Sequence, residues 1–115
     1  MKQRYDIPKN VANTGYVGAG QKAEAIKTIC SFIIKNWEQK QEINKEIAAA
    51  HGRADETQSR RLARCEENID NNIGCFERQL EDGRWFKQCE AAVKTIKIPE
   101  VKQMLMKRLE AVRNA

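Results

Sequence analysis

The stretch Asn13–Glu24, NTGYVGAGQKAE, sets Gly15, Gly18 and Gly20 just before Lys22, a composition that could cradle a phosphate. A phosphate-binding P-loop needs GxxxxGK followed by Ser or Thr. The glycines let backbone amides converge on the phosphates, the lysine reaches them, and the hydroxyl holds magnesium. Gly15 and Gly20 have the required gap, but the lysine comes one residue late, at Lys22, and is followed by Ala23, which has no hydroxyl. A buried strand should also lead into such a loop, whereas residues 1–14 place Tyr5 and Ile7 among polar residues, Pro8 and Asn10. The stretch therefore reads as glycines ahead of a helix, and no nucleotide, metal or other cofactor is assigned.

Catalytic chemistry finds no better footing. A nucleophile and its base need hydrogen-bond reach and a third group to orient the base, but His51 is the only histidine and sits beside a turn. Carboxylates abound over residues 66–82, where Glu66 and Asp70, and Glu77 and Glu81, lie one helical turn apart. They border an apolar stripe and read as its charged flanks, not as paired acids in a cleft. Cys30, Cys65, Cys75 and Cys89 contain no CxxC spacing, so zinc would need ligands gathered from distant positions. They read as structural thiols, with Cys75 set off its helix's stripe near Asn68 and Asn71. No catalytic residue and no metal ligand is assigned, and the chain is expected not to be an enzyme.

Basic and aromatic residues offer binding chemistry instead. Lys and Arg number 21 against 16 Asp and Glu, for a net charge of +5, a balance that suits anionic partners. The charge is unevenly spread: residues 1–22 carry +3, 23–53 carry +1, 54–82 carry −4 and 83–115 carry +5. Arg84, Lys87, Lys94 and Lys97 project broadly opposite a core stripe at 100° per residue, with Glu90 among them, forming a solvent-facing surface suited to phosphates. Lys102 and Arg113 fall on one flank of the last helix and Lys107 on the other. In the N-terminal arm, Lys2, Arg4 and Lys9 add phosphate contacts, while Tyr5 and Tyr16 are free to stack or to insert into a partner. Phe32 and Ile34 widen the apolar face of the first helix and suit a protein partner. Arg108 projects inside an apolar stripe and either pairs with an acid of the second helix or anchors a partner; a pair within the fold is favoured.

The elements that position these residues follow from apolar periodicity. Residues 1–20 carry turn residues without a sustained period and are expected to form a flexible basic arm, leaving 21–115 as one helical domain. Ile26, Ile29, Cys30, Ile33, Trp37, Ile43, Ile47 and Ala50 recur at steps of three and four, predicting a first helix over about 21–51. Gly52 is expected to end it, with Asp55 and Gln58 capping a second helix over about 55–81, whose stripe is Leu62, Cys65, Ile69, Ile73, Phe76 and Leu80. Asp82-Gly83 breaks that helix, a third spans about 84–96, and Pro99 opens a fourth with Val101, Met104, Leu105, Leu109 and Val112 on one side. The predicted fold is all-α, a small four-helix arrangement: a long antiparallel hairpin, two shorter helices and the arm. The alternative, in which the first two helices join into one rod and dimerise, is weakened by Asn36 and Lys40 in the heptad seam.

No apolar run approaches the ~20 residues of a membrane span, and the N-terminus MKQRYDIPKN lacks the apolar centre of a secretory signal, so no membrane partner and a cytoplasmic location are expected. The favoured reading is a non-enzymatic nucleic-acid-associated protein that grips the phosphate backbone of DNA or RNA. The competing reading is a protein–protein interaction module, such as a small subunit, adaptor or inhibitor within a larger complex. A homodimer is compatible with either.

Overall fold

In a computed structural model of the chain, residues 18–81 and 83–114 are described. Four helices account for most of them, α1 (Ala19–Ala49), α2 (Glu56–Glu81), α3 (Phe86–Lys94) and α4 (Pro99–Arg113), with no strand among the described residues. No helix is long and apolar enough to cross a membrane.

The boundaries have local causes. Gly18 is the extended residue before α1, and its carbonyl accepts the first helical hydrogen bond from Lys22 N–H at 3.0 Å. Gly20 and Lys22 therefore lie within a helix, two residues earlier than the period predicts. At the other end α1 stops at Ala49, short of position 51. Left-handed backbone begins at His51 (φ 66°) and continues through Gly52 (φ 76°), whose N–H reaches back to the Ile47 carbonyl at 2.8 Å. Such a six-to-one bond belongs to a helix end whose left-handed turn begins one residue before its last donor. The terminating residue is thus His51, with Gly52 completing the turn, and not Gly52 alone.

Asp55 and Gln58 form a reciprocal capping box at the start of α2. Gln58 N–H donates to Asp55 Oδ1 at 2.7 Å and Asp55 N–H donates to Gln58 Oε1 at 3.0 Å, satisfying two amides that have no intrahelical partner. Gly83 (φ 79°) closes the other end of α2, donating to the Leu80 carbonyl at 3.0 Å. α3 is shorter than the period over 84–96 suggests: the Thr95 hydroxyl and N–H both donate to the Ala92 carbonyl, at 2.7 and 3.2 Å, Ile96 N–H turns back to Val93, and Ile98 is extended ahead of Pro99. Ile96 stays buried outside the helix. Proline at the first position of α4 lacks an N–H that would have been unsatisfied there in any case.

α1 and α2 run antiparallel. From one end to the other, Lys22 meets Gln79, Asn36 meets Asn68, Lys40 meets Glu66, and Glu46 meets Arg61, an order that excludes the single rod. α3 and α4 pack on one end of this hairpin. There Ile26, Ile29, Cys30 and Ile33 of α1 join Ile69, Ile73, Phe76 and Leu80 of α2, Cys89, Ala92 and Val93 of α3, and Val101, Leu105 and Leu109 of α4 in one apolar cluster. The helical period that each stripe carries thus meets its counterpart on the neighbouring helix. Burying a side chain the size of Phe76 contributes about 1.5–3 kcal/mol. Beyond that cluster the hairpin continues with Ile43 and Cys65 as its buried apolar residues, tied across mainly by polar side chains.

Candidate functional site

Unpaired lysines occur in both halves of the chain, Lys35 and Lys45 on α1 among them, but are more numerous in the second. Along α1 and α2, Lys40 pairs with Glu66 at 3.2 Å, Arg61 with Glu46 at 3.2 Å, and Arg60 with Glu56. In the segment of α3, α4 and their connection, Lys87, Lys94, Lys97 and Lys107 are exposed, Lys102 is half-buried, and none of the five has an ion-pair partner among the described residues. Two arginines of α4 are spent inside the fold. Arg113 pairs with Glu90 at 2.5 Å and lies over the Phe86 ring. Arg108 lies 3.6 Å from Glu77 of α2 and donates to the Met104 carbonyl at 3.1 Å. The internal pair expected for Arg108 is thus present.

Helix geometry places Lys87 and Lys94 on one outer line of α3, two turns and about 10 Å apart, opposite the buried Cys89 and Val93. Glu90, which would interrupt that line, is held by Arg113. On α4 the structure brings together what the helical wheel separated: Lys102 and Lys107 both line one shallow depression, together with Gln103, Met106 and the carboxylate of Glu110. Arg84 stands at the α2–α3 turn with its guanidinium 5.3 Å from the Trp85 ring centre. Lys22 reaches the same ring from α1 at 5.5 Å and donates to Gln79 at 2.6 Å, so Trp85 ties three helix ends together and is part of the scaffold.

Lys97 points elsewhere, into a groove of about 400 Å³ between α1 and the α3–α4 connection. Ile34 lines this groove; it is half-buried and packs against the core from outside. Phe32 is half-buried on another side of α1, its carbonyl accepting from Asn36 at 2.8 Å. Lys2, Arg4, Tyr5, Lys9 and Tyr16 lie outside the described residues.

No family model, curated protein or solved structure matches the chain.

The thiols are held by packing. Burial pushes the Cys30 thiol up from its ordinary 9.0 to about 12, helped by the proximity of Cys89. Burial likewise pushes Cys89 up to about 11, with Lys22 pulling the other way. A raised thiol pKa lowers the thiolate fraction that nucleophilic or metal chemistry requires. Cys75 is half-buried and accepts a hydrogen bond from Arg78 at 3.0 Å. Among the described residues, no cluster of three or more His, Cys, Asp or Glu is placed to hold a metal ion.

Sequence reasoning missed Lys27 and Ser31, which share the groove wall with Ile34 and Glu38. The signal was present: positions 27, 31, 34 and 38 follow the four-three-four step of one helix face. They went unnoticed because only Ile34 among them is apolar.

Proposed function

We propose that the chain is a non-enzymatic nucleic-acid-associated protein that binds the phosphate backbone through the α3–α4 lysines, with Arg84 and the basic arm residues Lys2, Arg4 and Lys9 adding contacts. The observation that carries this reading is the set of five lysines, Lys87, Lys94, Lys97, Lys102 and Lys107, without carboxylate partners, in a region where arginines do find partners. An unpaired, solvated ammonium keeps its full charge for a polyanion and has no ion pair to break on binding. Docking such a surface on nucleic acid releases condensed counterions, which drives association and makes it salt-sensitive. The outward lysines of α3 and Lys102 and Lys107 of α4 supply positioning contacts without reading base edges, so the expected binding is weakly selective for sequence.

Fluorescence anisotropy with labelled single-stranded RNA, single-stranded DNA and duplex DNA, over a series of salt concentrations, tests this. Affinity should fall linearly on a log–log plot. For duplex, the Lys87→Ala/Lys94→Ala double variant should flatten the slope by roughly 1.8, about 0.9 per lost phosphate contact. Absence of binding to all three probes at low salt would end the proposal.

A further inference from the structure

We infer that the groove between α1 and the α3–α4 connection docks a short acidic, amphipathic segment of another protein. α1 contributes Lys27, Ser31, Ile34 and Glu38 on one face, and the connection contributes Lys97 and Ile98 opposite them. The groove exists because α3 stops at Lys94 and a non-helical connection, extended at Ile98, leads to Pro99, so a stretch of chain instead of a helix faces α1. Ile34 and Ile98 are both half-buried and both rest on the core cluster from outside. They give the groove an apolar floor that no side chain of the described residues covers.

The charges around that floor define the occupant. Lys97 has no carboxylate partner, and Lys27 has only a loose 3.9 Å contact with Glu24 one turn away, in which both side chains are largely exposed. The groove acid, Glu38, lies eleven residues from Lys27, about 16 Å along the helix. A segment with apolar side chains on Ile34 and Ile98 and carboxylates over Lys27 and Lys97 matches each feature, and a basic residue at its far end would meet Glu38. A nucleic-acid strand matches less well: the floor is aliphatic and has no aromatic ring for bases to stack on, and Glu38 repels phosphate. A second copy of the chain matches less well too. Its unpaired acids on α2, Glu67, Asp70 and Glu81, share their exposed surface with Arg64 and Arg78. The exposed large apolar residue of the described chain is Val112, at the end of α4 beside Arg113. Among the described residues the exposed apolar anchor is flanked by an arginine as well as by Glu110, which favours a different protein as the source of apolar anchors flanked by carboxylates alone.

Selecting a displayed library of random twelve-residue peptides on the full chain, with counter-selection on the Ile34→Glu variant, tests the inference. Enriched peptides should carry two apolar residues three or four apart with Asp or Glu beside them. They should perturb amide signals of residues 27–38 and 92–98, and should bind Ile34→Glu and Lys97→Glu roughly tenfold more weakly. Lys97 is exposed and unpaired, so its variant tests the groove even if the Ile34 variant is poorly folded. Lys97 also belongs to the nucleic-acid surface proposed above, but Ile34 does not: Ile34→Ala, which adds no charge beside Lys97, should weaken peptide binding and leave oligonucleotide affinity unchanged, which lets either idea fail alone. Four results would overturn the inference: no enrichment, enrichment of basic peptides, equal affinity for both variants and the parent chain, or an oligonucleotide seated among residues 27–38.

Discussion

The α1–α2 hairpin has two halves made of the same two helices and held by different forces. In the half beside α3 and α4, Ile26, Ile33 and Phe76 are sealed from solvent and four helices share one apolar cluster. In the distal half, Ile43 is buried outside that cluster, and the helices are joined by Asn36–Asn68 at 3.1 Å, Lys40–Glu66 and Glu46–Arg61. Exposed ion pairs contribute little, since water and salt screen them and the long side chains lose freedom in making them. Apolar burial is not screened. The comparison teaches that the stability of this fold resides where the short helices dock, while the distal half supplies reach and register. Unpaired lysines are more numerous on the α3–α4 segment, whose inner faces serve the core, although Lys35 and Lys45 of α1 are unpaired too.

The largest expected effect separates the two halves by one truncation in each. Phe76→Ala should cost about 3–5 kcal/mol and unfold the molecule as a unit, whereas Ile43→Ala should cost about 2 kcal/mol. In native-state hydrogen exchange, Ile43→Ala should accelerate amides of roughly 38–65 and spare those of α3 and α4. Equal acceleration throughout would show the hairpin to be one cooperative rod and dissolve the distinction. Next in size is the alkaline response of the docked half. Cys30 and Cys89 hold protons in the folded state to about 12 and about 11, against 9.0 ordinarily. Between pH 9 and 11 the unfolded chain therefore binds fewer protons than the folded one, and stability is lost as pH rises, by up to about 1.4 kcal/mol per pH unit per thiol. Urea denaturation across that window should show the loss, and Cys30→Ala should make it shallower; a slope indifferent to that substitution would contradict the burial of the thiol. The smallest effect belongs to the distal half. Lys40→Ala or Arg61→Ala should cost no more than about 0.5 kcal/mol, and less at high salt; a larger loss would mean that polar ties carry more of the hairpin than its exposure allows.

Much of this architecture was legible in the residues. The stripe from Leu62 to Leu80 steps at three and four without interruption, and α2 follows it to the residue at its C-terminal end, Glu81. Asp55 and Gln58 have the spacing of a capping box and form one. Asn36 and Lys40, which spoil a heptad seam, are the residues that cross to α2 as polar ties. Less was legible where the chain leaves the helical period. His51 in the left-handed region could not be expected with a glycine beside it, because a non-glycine residue there is held by tertiary and turn bonding and not by its own preference. The early end of α3 depends on a hydroxyl competing for a helix carbonyl, which periodicity does not register. Of the binding surfaces, the outer line of Lys87 and Lys94 follows from helix geometry alone. The shared depression of Lys102 and Lys107, and the groove that takes Lys97 away from both, depend on how elements dock, which no single helix encodes.

The reversal at His51–Gly52 has a practical meaning. From Ala50 to Asp55 every residue is exposed, and the segment lies about 18 Å along α1 from Glu38, remote from both the lysines and the groove. Added length there would be absorbed by solvent-facing backbone that already turns without help from the core. An affinity handle or a dye could be grafted between Gly52 and Asp55, leaving both termini free and every binding experiment described above unobstructed.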